Sequence, residues 1–296
     1  MEEDTLKRTT LFALATTIIF SEGFSSTLHA LPPGLHSYVA KQVLNKLKTK
    51  FPGKLLEKSE EEAFIQGNIL AAVGRIFLDA ETKVESDGKE FIEAVTSVAK
   101  TKEEKYFALG LNLHEKVDAR TSVFLRDIFG KPERAFVYLD WYGILDNYLI
   151  NKTGEYLALP DFDEFSLDQV FGALPGRIRQ SFKMKLINYL GKLLLFFVGG
   201  PNGAKKYFLK DAKKDFLVSY KYNSIIKRAY LKATNCDVSD EELKKQIQNL
   251  VGACILLCVN KRNFLLSADF IKKLDNKIEE LVNILVGEIE KDFEKI

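Results

Sequence analysis

The 296-residue chain is long enough to bury a large hydrophobic core, as one large domain or two ordinary ones. Hydrophobic residues make up 46% of the chain and charged residues 28%, a composition that excludes a disordered protein. Because 43 Lys and Arg nearly balance 41 Asp and Glu, no global basic field marks nucleic acid or an anionic membrane as an obligatory partner.

The segment 1–30 has two interpretations. Basic residues followed by a mostly apolar run from Thr9 to Phe20 are typical of a secretory signal, with cleavage after Ser25 or Ala30. Acidic residues at positions 2–4 are unusual at the start of a signal and favour a first buried helix instead. The run is too short to span a bilayer. The sequence therefore predicts either an exported or a cytoplasmic protein.

The rest of the chain, residues 31–296, has helical periodicity almost throughout. A helix is predicted to begin near His36, with lysines opposite one apolar stripe. The next helix is predicted to start at Ser59 as its N-cap. It is almost wholly apolar over residues 63–78 and is predicted to end at Asp79 as a central helix. The apolar stripe of the first helix consists of Leu35, Val39, Val43, Leu44 and Leu47.

Further helices are predicted from residue 89 to the end of the chain. Residues 89–129 predict one or two helices. The aromatic segment FVYLDWYGILDNYL then predicts core packing, with stacking on a lipid, base or sugar as the alternative. A domain boundary, if there is one, is predicted near 150–176. Ser239 and Glu242 predict a capping box, and residues 267–293 predict a long amphipathic closing helix. Because alternating β patterns are scarce, we predict an all-α, single multi-helix domain.

Histidine and aspartate carry the predicted chemistry of this chain. His114 lies four residues before Asp118, so on a helix both side chains leave the same face, about 40° apart. The pair is either the edge of a metal site or a hydrogen-bonded pair inside a helical protein. His36 and Asp79 lie on the two preceding predicted helices, so three helices can bring imidazole and carboxylate groups together. This ligand set suits one or two Zn²⁺ ions.

The stretch HEKVD, which begins at His114, also matches a second metal motif. It is the zincin pattern His-Glu-x-x-His with Asp118 in place of the second histidine. In that arrangement Glu115 is the predicted general base, and it is our candidate catalytic residue.

The order of LHSYVAKQVL, GRIFLDAE and YFALGLNLHEKVD resembles the zinc-dependent phospholipase C superfamily, which includes the single-strand-specific zinc nucleases. The resemblance covers roughly residues 31–125. It implies a phospholipase C-like helical bundle, zinc ions with Asp118 bridging two of them, and hydrolysis of phosphodiesters. Leu78 departs from the family's proline, and no histidine follows His114. The corresponding residues are His36, Gly74, Asp79, Leu109, Gly110, His114 and Asp118.

Two functions are therefore predicted. The first is a zinc-dependent hydrolase of phosphodiesters in phospholipid or nucleic acid, with His36, Asp79, His114 and Asp118 as metal ligands and Glu115 orienting the nucleophile. The second is a non-catalytic, all-helical interaction or scaffold protein, including a decayed relative of the same superfamily. The scarcity of histidine favours this alternative.

Overall fold

The architecture comes from a computed structural model. It describes residues 33–72, 78–79, 82, 84, 88–130, 141, 144–145, 148–149, 152–153, 178–179, 222–240, 242 and 266–296. The predictions for residues 1–30, for Gly74 and for almost all of the stretch 150–176 lie outside these residues.

Six helices and one pair of two-residue strands can be bounded within the described residues. In chain order they are α1 (Pro33–Lys50), α2 (Lys58–Ala72), β1 (Leu78–Asp79), α3 (Lys89–Val98), α4 (Lys102–Phe129), β2 (Ile178–Arg179), α5 (Asn223–Thr234) and α6 (Ala268–Lys295). The strands pair antiparallel, with Leu78 opposite Arg179. The all-α prediction is confirmed, because so short a ladder adds no layer to the helical fold.

Helix α1 forms as its apolar stripe predicts. It begins at Pro33, where a missing N–H costs no helical hydrogen bond, three residues before the predicted start. On its other side, the Lys46 ammonium lies 3.3 Å from a carboxylate oxygen of Glu279 on α6, and Lys50 pairs with Glu290. Such exposed ion pairs contribute little to stability, but they place lysines of α1 opposite glutamates of α6. All five stripe residues are buried: Leu35, Val39, Val43, Leu44 and Leu47.

Helix α2 differs from the prediction at both ends. The Glu60 carboxylate accepts a hydrogen bond from the Glu57 N–H at 2.9 Å, so the helix starts before Ser59 and the predicted cap is wrong. The helix is bounded at Lys58–Ala72, and Asp79, predicted as its last residue, lies in β1. Apolar periodicity does not distinguish a buried helix from a short buried strand. The pairing of Leu78 and Asp79 with β2 shows that these two residues form a strand.

Residues 89–129 form two helices, α3 and α4. The break is set by a capping box at Thr101, whose hydroxyl accepts from the Glu104 N–H at 3.1 Å. The Glu104 carboxylate in turn accepts from the Thr101 N–H at 3.4 Å and pairs with Arg228 of α5 at 2.7 Å. One carboxylate thus caps α4 and connects it to α5.

The predicted capping box further along the chain is confirmed. The Ser239 N–H donates to the Glu242 carboxylate at 2.9 Å, and the Glu242 N–H donates to the Ser239 hydroxyl at 3.1 Å. The closing amphipathic helix is present as α6. None of the helices in the described part of the chain combines the length and the continuous apolar surface that a membrane span needs.

The two described aromatic residues of the segment FVYLDWYGILDNYL, Trp141 and Tyr148, pack in the core, as predicted. Trp141 is buried and stacks on Phe129, with 4.8 Å between ring centroids and 8° between planes. Tyr148 is also buried, and its hydroxyl donates to the Asp275 carboxylate of α6. The Lys152 ammonium lies 2.9 Å from the same carboxylate, so this segment is joined to α6 by polar contacts.

Helices α2 and α4 form the most extensive helix pair of the described residues, and they touch backbone to backbone. A Cβ placed on Gly67 would lie 2.1 Å from the carbonyl oxygen of Phe107, and one on Gly110 would lie 2.0 Å from that of Phe64. The two contacts are reciprocal across the helix crossing. Only glycine permits this approach, because every other residue carries a Cβ that would enter the opposing carbonyl.

Candidate metal centre

Three of the four predicted metal ligands converge. Helix α1 supplies His36, and α4 supplies His114 and Asp118, each offering one ligand atom within 4.8 Å of the others. His36 Nε2 lies 3.5 Å from Asp118 Oδ1, and His114 Nε2 lies 3.2 Å from Asp118 Oδ2. The two imidazole rings lie 4.6 Å apart between centroids. The carboxylate therefore faces one histidine with each oxygen.

Both histidines of the cluster are fully buried, and only Asp118 is partly exposed. His36 and His114 are 0% and 1% exposed, whereas the Asp118 side chain is 19% exposed. Helix α4 places His114 and Asp118 one turn apart on the same face, as their spacing predicts. The Asp118 side chain is thus the part of the cluster that solvent reaches.

Burial and charge act on the acid–base behaviour of the cluster in opposite directions. Burial lowers the pKa of His36 below its usual value, and the neighbouring His114 lowers it further. Burial alone would raise the pKa of Asp118, but its interactions with the nearby His114 and His36 hold it far below its usual value. A neutral His36 and an ionised Asp118 are the protonation states that metal ligation requires.

Three buried polar atoms of the cluster have no hydrogen-bond partner among the described residues: His36 Nε2, His114 Nδ1 and Asp118 Oδ1. The 3.5 Å approach of His36 Nε2 to Asp118 Oδ1 is close enough for electrostatic attraction but lacks hydrogen-bond geometry. Leaving a buried polar atom unsatisfied costs about 1–3 kcal/mol. An arrangement of this cost is expected where a ligand completes the site.

The donor types of the cluster suit zinc. Two imidazoles and a carboxylate are ligand types that zinc accepts. The 3.5 Å distance from His36 and the 3.2 Å distance from His114 end on different oxygens of Asp118, Oδ1 and Oδ2. The fit of His36, His114 and Asp118 to zinc therefore rests on their chemistry and on their proximity, within 4.8 Å of one another.

Asn68 of α2 completes the surroundings of the cluster, and sequence reasoning missed it. Its side chain is fully buried. In the amide orientation that satisfies both contacts, Nδ2 donates to the His36 carbonyl and Oδ1 accepts from the His114 N–H, each at 3.2 Å. The signal was an amide within the mostly apolar run 63–78, which also contains Gln66. A buried amide requires hydrogen-bond partners.

Asp79 and Glu115, the other predicted site residues, are not among the three described side chains that converge. Asp79 lies in β1, but its side chain falls outside the described residues. Glu115 follows His114 on α4, about 100° further around the helix, and is partly exposed. Its role as general base stays a prediction. Gly110, which the family resemblance singled out, has a packing role at the α2–α4 crossing.

Comparison of the chain with models of protein families, with curated proteins and with solved structures found no match.

The metal-free protein is expected to lose stability as the pH falls below about 6.5. The pKa of His36 is lower in the folded protein than in the unfolded chain. As the pH falls below about 6.5, the unfolded chain therefore binds a proton that the folded protein does not, and this favours unfolding. The titration of His36 lowers the free energy of unfolding by at most about 1.4 kcal/mol per pH unit. Asp118 acts in the same direction but only below about pH 4, since its folded pKa is also lowered. Urea denaturation with chelator from about pH 7 to about pH 5 measures the slope.

The comparison for this measurement is His36→Phe, which keeps a ring but removes the titration. The variant should show a flatter dependence of the unfolding free energy on pH than the natural sequence. Equal slopes in the two proteins would contradict the assignment to His36.

Proposed function

We propose that this protein binds a divalent metal ion, zinc, through His36, His114 and Asp118, and that it uses the ion to hydrolyse phosphodiesters. The observation that carries the proposal is the convergence of three ligand atoms from two helices within 4.8 Å. The unpartnered atoms His36 Nε2 and Asp118 Oδ1 support it, because a metal ion would supply the partner that both lack.

A catalytic use of the ion is favoured by the number of ligands. Catalytic zinc sites have three protein ligands and one open position, whereas structural sites have four. The described residues offer three protein ligands, and one of them, the Asp118 side chain, is partly exposed to solvent. A bound zinc ion supplies Lewis acidity, which activates water near neutral pH and offsets charge on phosphoryl oxygens. Asp79 is the proposed ligand of a second ion, and Glu115 the proposed base.

Phosphodiesters are the proposed substrates because of the resemblance to the zinc-dependent phospholipases C and nucleases. That resemblance includes His36, His114 and Asp118, the same three residues whose ligand atoms converge. The proposed substrate class is a phospholipid or a single-stranded nucleic acid, which share the phosphodiester group.

The proposal is tested by metal analysis and by hydrolysis of bis(p-nitrophenyl) phosphate. Protein purified without chelator should contain about one or two zinc ions per chain. EDTA should abolish hydrolysis, and added zinc should restore it. His114→Ala should lose both zinc and turnover, because the substitution removes one of three ligands. Protein that contains no stoichiometric divalent ion would count decisively against the proposal.

A non-catalytic helical protein is the second candidate, and the burial of both imidazoles favours it. At 0% and 1% exposure, His36 and His114 can serve simply to fasten α1 to α4 through Asp118. If so, chelation changes neither the melting temperature nor the oligomeric state. Zinc binding without any phosphodiester hydrolysis would instead assign the centre a structural role.

A further inference from the structure

The two histidines of the cluster lie on different helices, and a third helix connects them. Helix α2 packs against both α1 and α4, whereas α1 and α4 touch each other much less. Asn68 of α2 reaches both histidine residues through their backbone, donating to the His36 carbonyl and accepting from the His114 N–H. One amide thus spans the two elements that carry the imidazoles.

The amide is not needed to satisfy these backbone groups. His36 lies in α1 and His114 in α4, and helical carbonyl and N–H groups have partners four residues away. An apolar side chain at position 68 would avoid burying an amide at all, and such replacements can be nearly neutral in stability. The presence of a fully buried amide therefore calls for a role other than saturating hydrogen bonds.

The approach of Asn68 to α4 depends on the glycine contact. A Cβ on Gly110 would lie 3.0 Å from the Asn68 backbone nitrogen and 2.0 Å from the Phe64 carbonyl oxygen. Because Gly110 has no side chain, α2 lies close enough for the Asn68 amide to reach the His114 N–H. The helix crossing and the amide bridge together set how far His36 lies from His114, with 4.6 Å between the ring centroids.

We infer that Asn68 is a positioning residue of the metal centre, which holds the backbone of His36 and of His114 at the separation that a metal ion needs. This inference rests on the proposed metal site. A metal site tolerates errors of only about 0.2 Å in ligand distance, so a bridge between the two ligand-bearing backbones changes affinity directly. Residues that orient ligands typically affect metal affinity about 10–100-fold.

The test measures zinc affinity and the visible spectrum of the cobalt-substituted full-length protein. Asn68→Leu has similar bulk and removes both hydrogen bonds, while Asn68→Ser is too short to span both backbone groups. Each should raise the zinc dissociation constant about 10–100-fold and weaken the tetrahedral cobalt absorption bands. Neither substitution alters charge, so electrostatic attraction of the ion is unchanged. The matched controls are Asn45→Leu and Asn45→Ser on the exposed face of α1, which should bind zinc as the natural sequence does.

The outcomes separate this inference from the proposed function. Failure of the natural sequence to bind zinc would overturn the metal site itself. Zinc bound with unchanged affinity and an unchanged cobalt spectrum in the Asn68 variants would overturn only the positioning role, even if both were less stable. If Asn68→Leu does not fold, Asn68→Ser decides. Failure of both to fold would also overturn it, by showing that Asn68 serves the fold.

Discussion

Replacing Gly67 or Gly110 with alanine is expected to destabilise the protein by about 3 kcal/mol, at the upper end of the usual cost of overpacking. The added Cβ would lie 2.1 Å or 2.0 Å from a backbone carbonyl oxygen. Unlike a flexible side chain, a helix carbonyl cannot rotate away, so α2 and α4 must separate. Urea denaturation measures the change as a lowered transition midpoint.

Gly287 of α6 provides the control for this prediction. A Cβ added there meets nothing within 4 Å, so Gly287→Ala is expected to stabilise the protein by about 0.5–1 kcal/mol through better helix propensity. The same chemical change should thus have opposite signs at the helix crossing and on α6. A cost below about 1 kcal/mol for both crossing variants would contradict the close approach of α2 and α4.

Zinc is expected to stabilise the natural sequence and to lose this effect in Asp118→Asn. An ion that binds only the folded state adds about 4 kcal/mol to the free energy of unfolding at a concentration a thousand times its dissociation constant. Asparagine keeps the shape of Asp118 but removes the charge that lies between the two histidines. The measurement is the increase in melting temperature on zinc addition, compared between the two proteins.

Asp127→Asn is the matched control, since Asp127 lies on the same helix and pairs with Lys277 of α6 at 3.2 Å on the surface. Its stability should change by less than about 1 kcal/mol, and its response to zinc should equal that of the natural sequence. A zinc response that survives Asp118→Asn unchanged would remove Asp118 from the set of ligands and leave the proposed centre without its carboxylate.

Local sequence determined most of the helices. The apolar stripe from Leu35 to Leu47, the capping box of Ser239 with Glu242 and the amphipathic pattern that becomes α6 depend on neighbours within one or two turns. The spacing of His114 and Asp118 likewise required only helical geometry to place both on one face. Interactions of this range can be predicted from the order of residues alone.

Tertiary structure decided the rest. Asp79, predicted to end α2, lies in a strand because residues 78–79 pair with residues 178–179, a hundred positions later, and periodicity cannot reveal such a pairing. Asn68 and Gly67 matter only because α4 lies against them. His36 meets Asp118 because α1 and α4 both pack on α2, so the distance between those two side chains depends on packing across the core. The sequence alone could propose that meeting but could not establish it. Helical geometry predicts which side chains share a face but not which faces come together.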